Sequence, residues 1–342
     1  MQRPERSDGR FTAARSRQAL HRVCASVGID DRDAEPIKLT VNAVYRLPHA
    51  GAIVRIATSR AMHHRVEKVV QVARWLADHG MPAVRLLPGV PAPVRVDDYV
   101  ATIWCDAGAG DADPGDADPG DADPGDADPG DADPGDADPG DADPGDADPG
   151  AVRSAHALAT ILRRLHALEP PEPPLPAWDP LDDVRRRLDD AEGLVPRDRT
   201  FLEGLVSRVE EALGAVRYEL PRSVIHGDAH LGNLIHSAAG EILICDFDAT
   251  CHGPAEWDLV PVALGPLRFG RPPAASAELA RAYGFDVTAW DGFPALRAVR
   301  ELKLVTSVVP MLASRPSAAA QFAVRLDSLR SGADHAVWTL YR

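Results

Sequence analysis

The sequence predicts an α+β protein in two lobes, a small antiparallel sheet followed by a mostly helical part. Three observations predict it. Strand-like runs concentrate before residue 105, helical apolar spacing dominates after residue 154, and eight identical DADPG units (111–150) separate the two. With 342 residues and 45% hydrophobic content, the chain is long enough for one large domain or two modest ones.

The elements follow in order. Phe11 to Val27 has helical spacing, with Leu20, Val23, Cys24 and Val27 on one side and Gly28 as a stop. LTVNAVYRL (39–47) and AIVRIAT (52–58) read as strands around a turn at His49-Ala50-Gly51. A helix is expected at about 62–79, ended by Gly80, then strands at 84–87, 93–96 and 99–105. After the repeat, 154–168 is helical, and PPEPPLPAW (170–178) is an extended proline-rich link. Asp179-Pro180 supplies an N-cap and N1 proline for a helix to about 189, and another helix spans 199–216. Two short strands, NLI and ILIC, interrupt the helical pattern around Ala238-Ala239-Gly240. Helices are expected again at 256–264, 276–284, 294–312 and 318–330. The predicted division is an N-lobe at 1–105, an acidic insertion at 106–150 and a helical C-lobe at 151–342.

The formal charge of −15 is misleading, because the repeat holds 16 of the 52 acids. The other 36 acids face 37 Lys and Arg, so the remaining chain is near neutral. That balance argues against a nucleic-acid or membrane-surface partner. Four cysteines without a CxxC pair, and no secretory apolar segment in the opening residues, predict a reduced cytoplasmic protein. Oligomeric state is not readable. The repeat lacks any large apolar side chain and has proline every fifth residue, so it is expected to be a disordered insertion. Its DxDxG pattern lacks the third ligand and distal Glu of a calcium loop.

The chemistry concentrates in HGDAHLGN (226–233). Asp228 and Asn233 lie five apart in a loop that ends at a strand. Asp246 follows the next strand, so a hairpin would bring Asn233 and Asp246 together. Their oxygens are hard ligands suited to Mg²⁺, and Asp228 stands apart as a base. D-x-x-x-x-N followed by Asp246-Phe247-Asp248 resembles the protein-kinase arrangement of catalytic loop and DFG. No GxxxxGK[ST] occurs, which excludes a P-loop enzyme.

The order VIHGDAHLGNLI…ILICDFDATCHGPAEWDL resembles the aminoglycoside phosphotransferase family, also called choline/aminoglycoside kinase-like proteins. EPIKLTVNAVYRL, VARWLADHGMPAVRLL and LRRLHALEPPEPPLPAWDP extend the likeness over nearly the whole chain outside the repeat. The resemblance implies a bilobal protein-kinase-like fold and transfer of the γ-phosphate of ATP (or GTP) to a hydroxyl of a small molecule. It implies Asp228 as catalytic carboxylate, and Asn233 and Asp246 as holders of Mg²⁺. His226 becomes structural, His230 a neighbour of the base, and Asp258 a brace beneath the loop. Asp248 stands where kinases carry Gly and is a candidate second metal ligand or substrate contact.

In the N-lobe, AIVRI places Arg55 where kinases have Lys, a departure that allows either a working variant or a weakened nucleotide site. Glu67 is the candidate ion-pair partner. Asn42 and the turn at 48–51 would cover the phosphates, and Thr102, Ile103 and Trp104 would meet the adenine. Asp248 and Glu256 would suit a cationic acceptor.

Two other readings compete. His226, Asp228, His230, His236, Asp246 and Asp248 could be ligands of a metallohydrolase. Alternatively, Arg55 could mark a nucleotide-binding pseudokinase or scaffold without transfer activity. His21, His156, His166, His252 and His335 have no partners at metal spacing and are expected to be surface or packed residues.

Overall fold

The computed structural model describes residues 13–39, 42–57, 63–108, 148–191, 193–313, 316–339 and 341. They fall into two compact units. The first holds the chain up to Arg74 together with Val84–Gly108; the second holds Trp75–Ala83 and the described residues from Asp148 onward.

The first unit is one antiparallel sheet covered by a helix. Its strands are β1 (Glu35–Leu39), β2 (Asn42–Leu47), β3 (Ala52–Ala57), β4 (Val94–Val96) and β5 (Tyr99–Cys105), in spatial order β1-β2-β3-β5-β4. Strict alternation decides its faces. Ala43, Tyr45 and Leu47, with Ala52, Val54 and Ile56, point to one side and bury Leu20, Val23 and Cys24 of α1 (Ala13–Val27). The opposite face therefore carries Asn42, Arg55, Thr102 and Trp104, through the registers Asn42↔Ala57, Arg55↔Thr102 and Ile53↔Trp104.

The expected strand at 39–47 is in fact two. Leu39 pairs with Ala43 in an antiparallel ladder, so 35–39 and 42–47 are separate strands; Thr40 and Val41 lie outside the described residues. No Gly, Pro or Asp marks that boundary, which is why the sequence reads as continuous. The run at 84–87 forms only isolated contacts with β5, the Leu86↔Trp104 bridge among them. α2 (His63–Asp78) matches its expected span.

The second unit is built on α3 (Pro149–His166), α4 (Asp182–Asp189), α5 (Pro196–Ala215), α6 (Val260–Arg268), α7 (Ala274–Tyr283), α8 (Phe293–Thr306) and α9 (Pro316–Ser331). Asp179-Pro180 does not cap α4. Asp179 instead accepts from Leu181 N–H at 3.3 Å, forming a turn ahead of the helix. Four short strands are inserted among the helices. β6 (Arg222–Ile225) pairs with β9 (Cys251–Pro254), and β7 (Leu234–His236) pairs with β8 (Ile242–Ile244). The β6–β9 pairing is not apparent in the sequence, because HGP within CHGP does not read as a strand. These strands place the catalytic motifs. β6 ends before His226, β7 begins after Asn233, β8 ends before Cys245 and β9 begins after Thr250.

The four cysteines form no disulfide, and no helix among the described residues is long and apolar enough to cross a membrane.

The repeat lies outside the described residues except for its last three. Asp148 is the N-cap of α3: its side chain accepts from Gly150 N–H at 2.8 Å, and Pro149 fills the first helical position. D-P-G is thus an N-cap followed by an N1 proline, and the helix starts inside the final unit rather than at Ser154. Deletion of 111–145 preserves this start and is expected to leave the urea-denaturation midpoint unchanged. Asp148→Ala should cost about 1 kcal/mol in the same measurement.

Candidate active site

The catalytic loop is assembled by a fully buried carboxylate. Asp258 lies in the short 3-10 segment Ala255–Leu259. Its Oδ2 accepts from His226 N–H at 2.6 Å, and its Oδ1 accepts from Gly227 N–H at 2.8 Å. Trp257 Nε1–H donates to Gly227 C=O at 2.7 Å. Gly227 has φ +85°, and a Cβ there would lie 2.2 Å from Ala249 C=O, so no other residue fits the turn.

A third donor reaches the same carboxylate from α3. His166 Nε2 is 3.1 Å from Asp258 Oδ2, and its Nδ1 is 2.8 Å from the Tyr283 hydroxyl. An ionised carboxylate only accepts, so Nε2 carries the proton and Nδ1 accepts from Tyr283. Burial, with Asp258 and then Glu256 adding to it, pushes the Tyr283 hydroxyl far above its ordinary value and keeps it a donor.

His226 ties the loop to the next hairpin. Its Nδ1 accepts from Asp228 N–H at 3.3 Å, so its Nε2 donates to Cys245 C=O at 2.9 Å. The ring stacks edge-on against buried Phe247, at 6.1 Å between centroids.

Asp228 follows in this frame, nearly buried. Arg300 Nη1 of α8 lies 2.8 Å from its Oδ1, and Arg300 is itself 1% exposed. His230 Nε2 is 3.6 Å from Oδ2. Asn233 Nδ2–H donates to Asp228 C=O at 2.8 Å. With its nitrogen held there, the Asn233 Oδ1 is the atom left to meet a cation. Cys245 N–H donates to Asn233 C=O at 2.9 Å, so Asn233 and Asp246 flank the base of one hairpin. Asp246 is exposed and has φ +64°, a left-handed conformation that non-glycine residues rarely adopt but aspartate tolerates. One amide oxygen and one exposed carboxylate suit Mg²⁺, which takes few protein ligands and keeps waters and phosphates for the rest. Asp248 is half-buried in the turn after Phe247.

The metallohydrolase reading does not survive. Among the described residues no group of three or more His, Cys, Asp or Glu converges as metal ligands. His226 is spent on Cys245, and His236 Nε2 lies 3.1 Å from the Ser154 hydroxyl.

In the first unit, Asn42 and Arg55 share one sheet face and bond to each other. With its amide oriented to present oxygen, Asn42 accepts from Arg55 Nε at 3.2 Å and Nη2 at 2.6 Å. Glu67 is not the partner of Arg55. It is exposed on α2 and pairs with Arg95 of β4 at 2.6 Å. Trp104 Nε1–H donates to Thr102 Oγ1 at 2.8 Å, and both side chains are buried. The backbone there is committed to the sheet: Ile103 C=O accepts from Leu87 N–H, and Cys105 N–H donates to Arg85 C=O, each at 2.8 Å. Glu256 is no substrate contact. It is fully buried and accepts from Glu219 and Leu220 N–H at 2.8 Å each.

Sequence reasoning missed Arg300, His166 and Tyr283. The one available signal was Arg300-Glu301-Lys303 in the apolar second half of α8. All three are buried and paired, with Glu301 2.7 Å from Arg268 and Lys303 3.3 Å from Asp183.

A sheet unit, a helical unit and this loop make up a protein-kinase-like α+β fold. A family model described as the phosphotransferase enzyme family matches residues 135–300. The match spans just under half of the chain, from the end of the repeat to α8. Solved structures share the fold. Choline kinase LicA from Streptococcus pneumoniae superposes with a TM-score of 0.61 at 12% identity, over 92% of this chain and 98% of that one. A choline/ethanolamine kinase family protein from Mesorhizobium loti gives 0.56 at 18%, over 92% and 94%. An aminoglycoside phosphotransferase from Streptomyces rimosus, in complex with ADP and streptomycin, gives 0.52 at 17%, over 84% and 98%. No curated protein matches in sequence.

Asp258→Ala would strand three buried donors, each worth about 1–3 kcal/mol. It is expected to destabilise the protein by at least about 3 kcal/mol in chemical denaturation, and Asp258→Asn by less.

Proposed function

We propose that the protein transfers the γ-phosphate of ATP (or GTP) to a hydroxyl of a small molecule, with Asp228 as catalytic carboxylate. The observation that carries this reading is the Arg300–Asp228 contact within a loop whose Asn233 is anchored to Asp228 itself. The family supports phosphoryl transfer, and the ADP bound to the Streptomyces rimosus relative supports a nucleotide donor.

Arg300 holds Oδ1, which turns Oδ2 toward His230 and makes it the oxygen that receives the acceptor hydroxyl. The hydroxyl oxygen bonds to the γ-phosphorus, the bond from that phosphorus to the nucleoside diphosphate breaks, and the hydroxyl proton passes to Asp228. Asn233 and Asp246 would hold Mg²⁺, which when bound neutralises charge on the phosphate oxygens. Arg55 supports donor binding from the first unit.

A nucleotide-binding protein without transfer is the second reading, favoured by Arg55 in place of lysine. Turnover decides between them. Asp228→Asn is expected to lower kcat at least about 100-fold, with ADP affinity by calorimetry nearly unchanged. Full activity in that variant would remove Asp228 from its role. Chelation by EDTA should abolish turnover, and added Mg²⁺ should restore it. Arg300→Met should lower kcat in the wild-type background but add no further loss on Asp228→Asn, the signature of a residue acting through the carboxylate.

A further inference from the structure

Beside the loop that carries Asp228 the second unit forms a half-open pocket of about 130 Å³. His230, the residue next to the Asp228 carboxylate, forms part of its wall. Val152, Pro266 and Phe269 supply apolar wall from α3, α6 and the turn after α6. Among the described lining residues, Asp148 and Arg271 are the formally charged ones, of opposite sign, and both are exposed.

We infer that this cavity receives an apolar, ring-sized part of an uncharged acceptor alcohol. The inference rests on the phosphotransferase reading of Asp228 and names its acceptor class. Size sets the first limit, since a cavity of about 150 Å³ takes a benzene ring. Charge sets the second. Several ammonium groups lose hydration on entering such a site and need carboxylates in return. Here Asp228 is paired with Arg300, Glu256 is buried against backbone N–H groups, and Asp148 and Arg271 bring one charge of each sign to the described wall. The described lining residues therefore reward apolar contact and carry no net negative charge among themselves. Position sets the third, because His230 connects the cavity to the catalytic oxygen.

The test uses the full-length chain and reads binding without turnover. Benzyl alcohol is the probe, observed by saturation-transfer NMR. Ala275 lines the cavity on α7, outside the catalytic machinery, and Ala275→Trp fills it. The wild type should show transfer to benzyl alcohol, and Ala275→Trp should reduce it at least fivefold with an unchanged melting curve. Val152→Phe is the second filling variant if Ala275→Trp does not fold. Neither ADP nor kanamycin, a polycation, should displace the probe. No signal in the wild type, an unchanged signal in the folded filled variant, or displacement by ADP or kanamycin would overturn the inference. Binding that behaves as expected in a protein with no transferase activity would count against the phosphotransferase reading instead.

Discussion

The Asp258 carboxylate, with no exposed surface, accepts from the backbone of His226 and Gly227 and from the ring of His166. Backbone N–H groups in a tight buried turn have no strand partner, and water cannot reach them. Without a carboxylate beneath, the turn at Gly227 would leave two donors orphaned. Everything downstream takes its position from this turn. Asp228 is the next residue, and Asn233 is bonded back to Asp228 C=O. His226 then passes the same constraint across to Cys245, one residue before Asp246.

Charge is handled by pairing within the fold. A buried carboxylate at Asp228 carries a large desolvation cost unless a cation accompanies it, and Arg300 of α8 is that cation. α8 brings Glu301 and Lys303 to the interior as well, each with a partner of opposite sign. The helix therefore acts as both core and electrostatic support. One consequence is electrostatic, since the negative charge of Asp228 is met by Arg300. The other is mechanical, since the carboxylate is held by an element that packs against α5 and α6 rather than by a loop.

Much of the architecture was legible because it rests on local pattern. Period-two alternation located β2, β3 and β5, and their registers follow from the face that meets α1. The DxxxxN spacing and the hairpin after it located Asp228, Asn233 and Asp246, since chain connectivity alone forces their approach. Asp258 was reached through family resemblance. The partner of Arg55 was misassigned, because choosing between Glu67 and Asn42 needs the register Asn42↔Ala57 and the position of α2. The hydrogen bond from Trp104 to Thr102 is likewise invisible until β5 is placed in its sheet.

The DADPG units illustrate both sides of this limit. Composition alone shows that they cannot build a core. That the last three residues cap and begin α3 depends on the helix that follows them. The sequence by itself determined the elements, the loop chemistry and the near-neutral balance outside the repeat, because these are set by neighbours a few residues apart. Only the tertiary structure decided that Arg300, 72 positions beyond Asp228, is its counter-ion and that His166 and Tyr283 brace Asp258. Those pairings are made by the packing of α3, α7 and α8, and no spacing rule links residues that meet only when separate helices enclose the same loop.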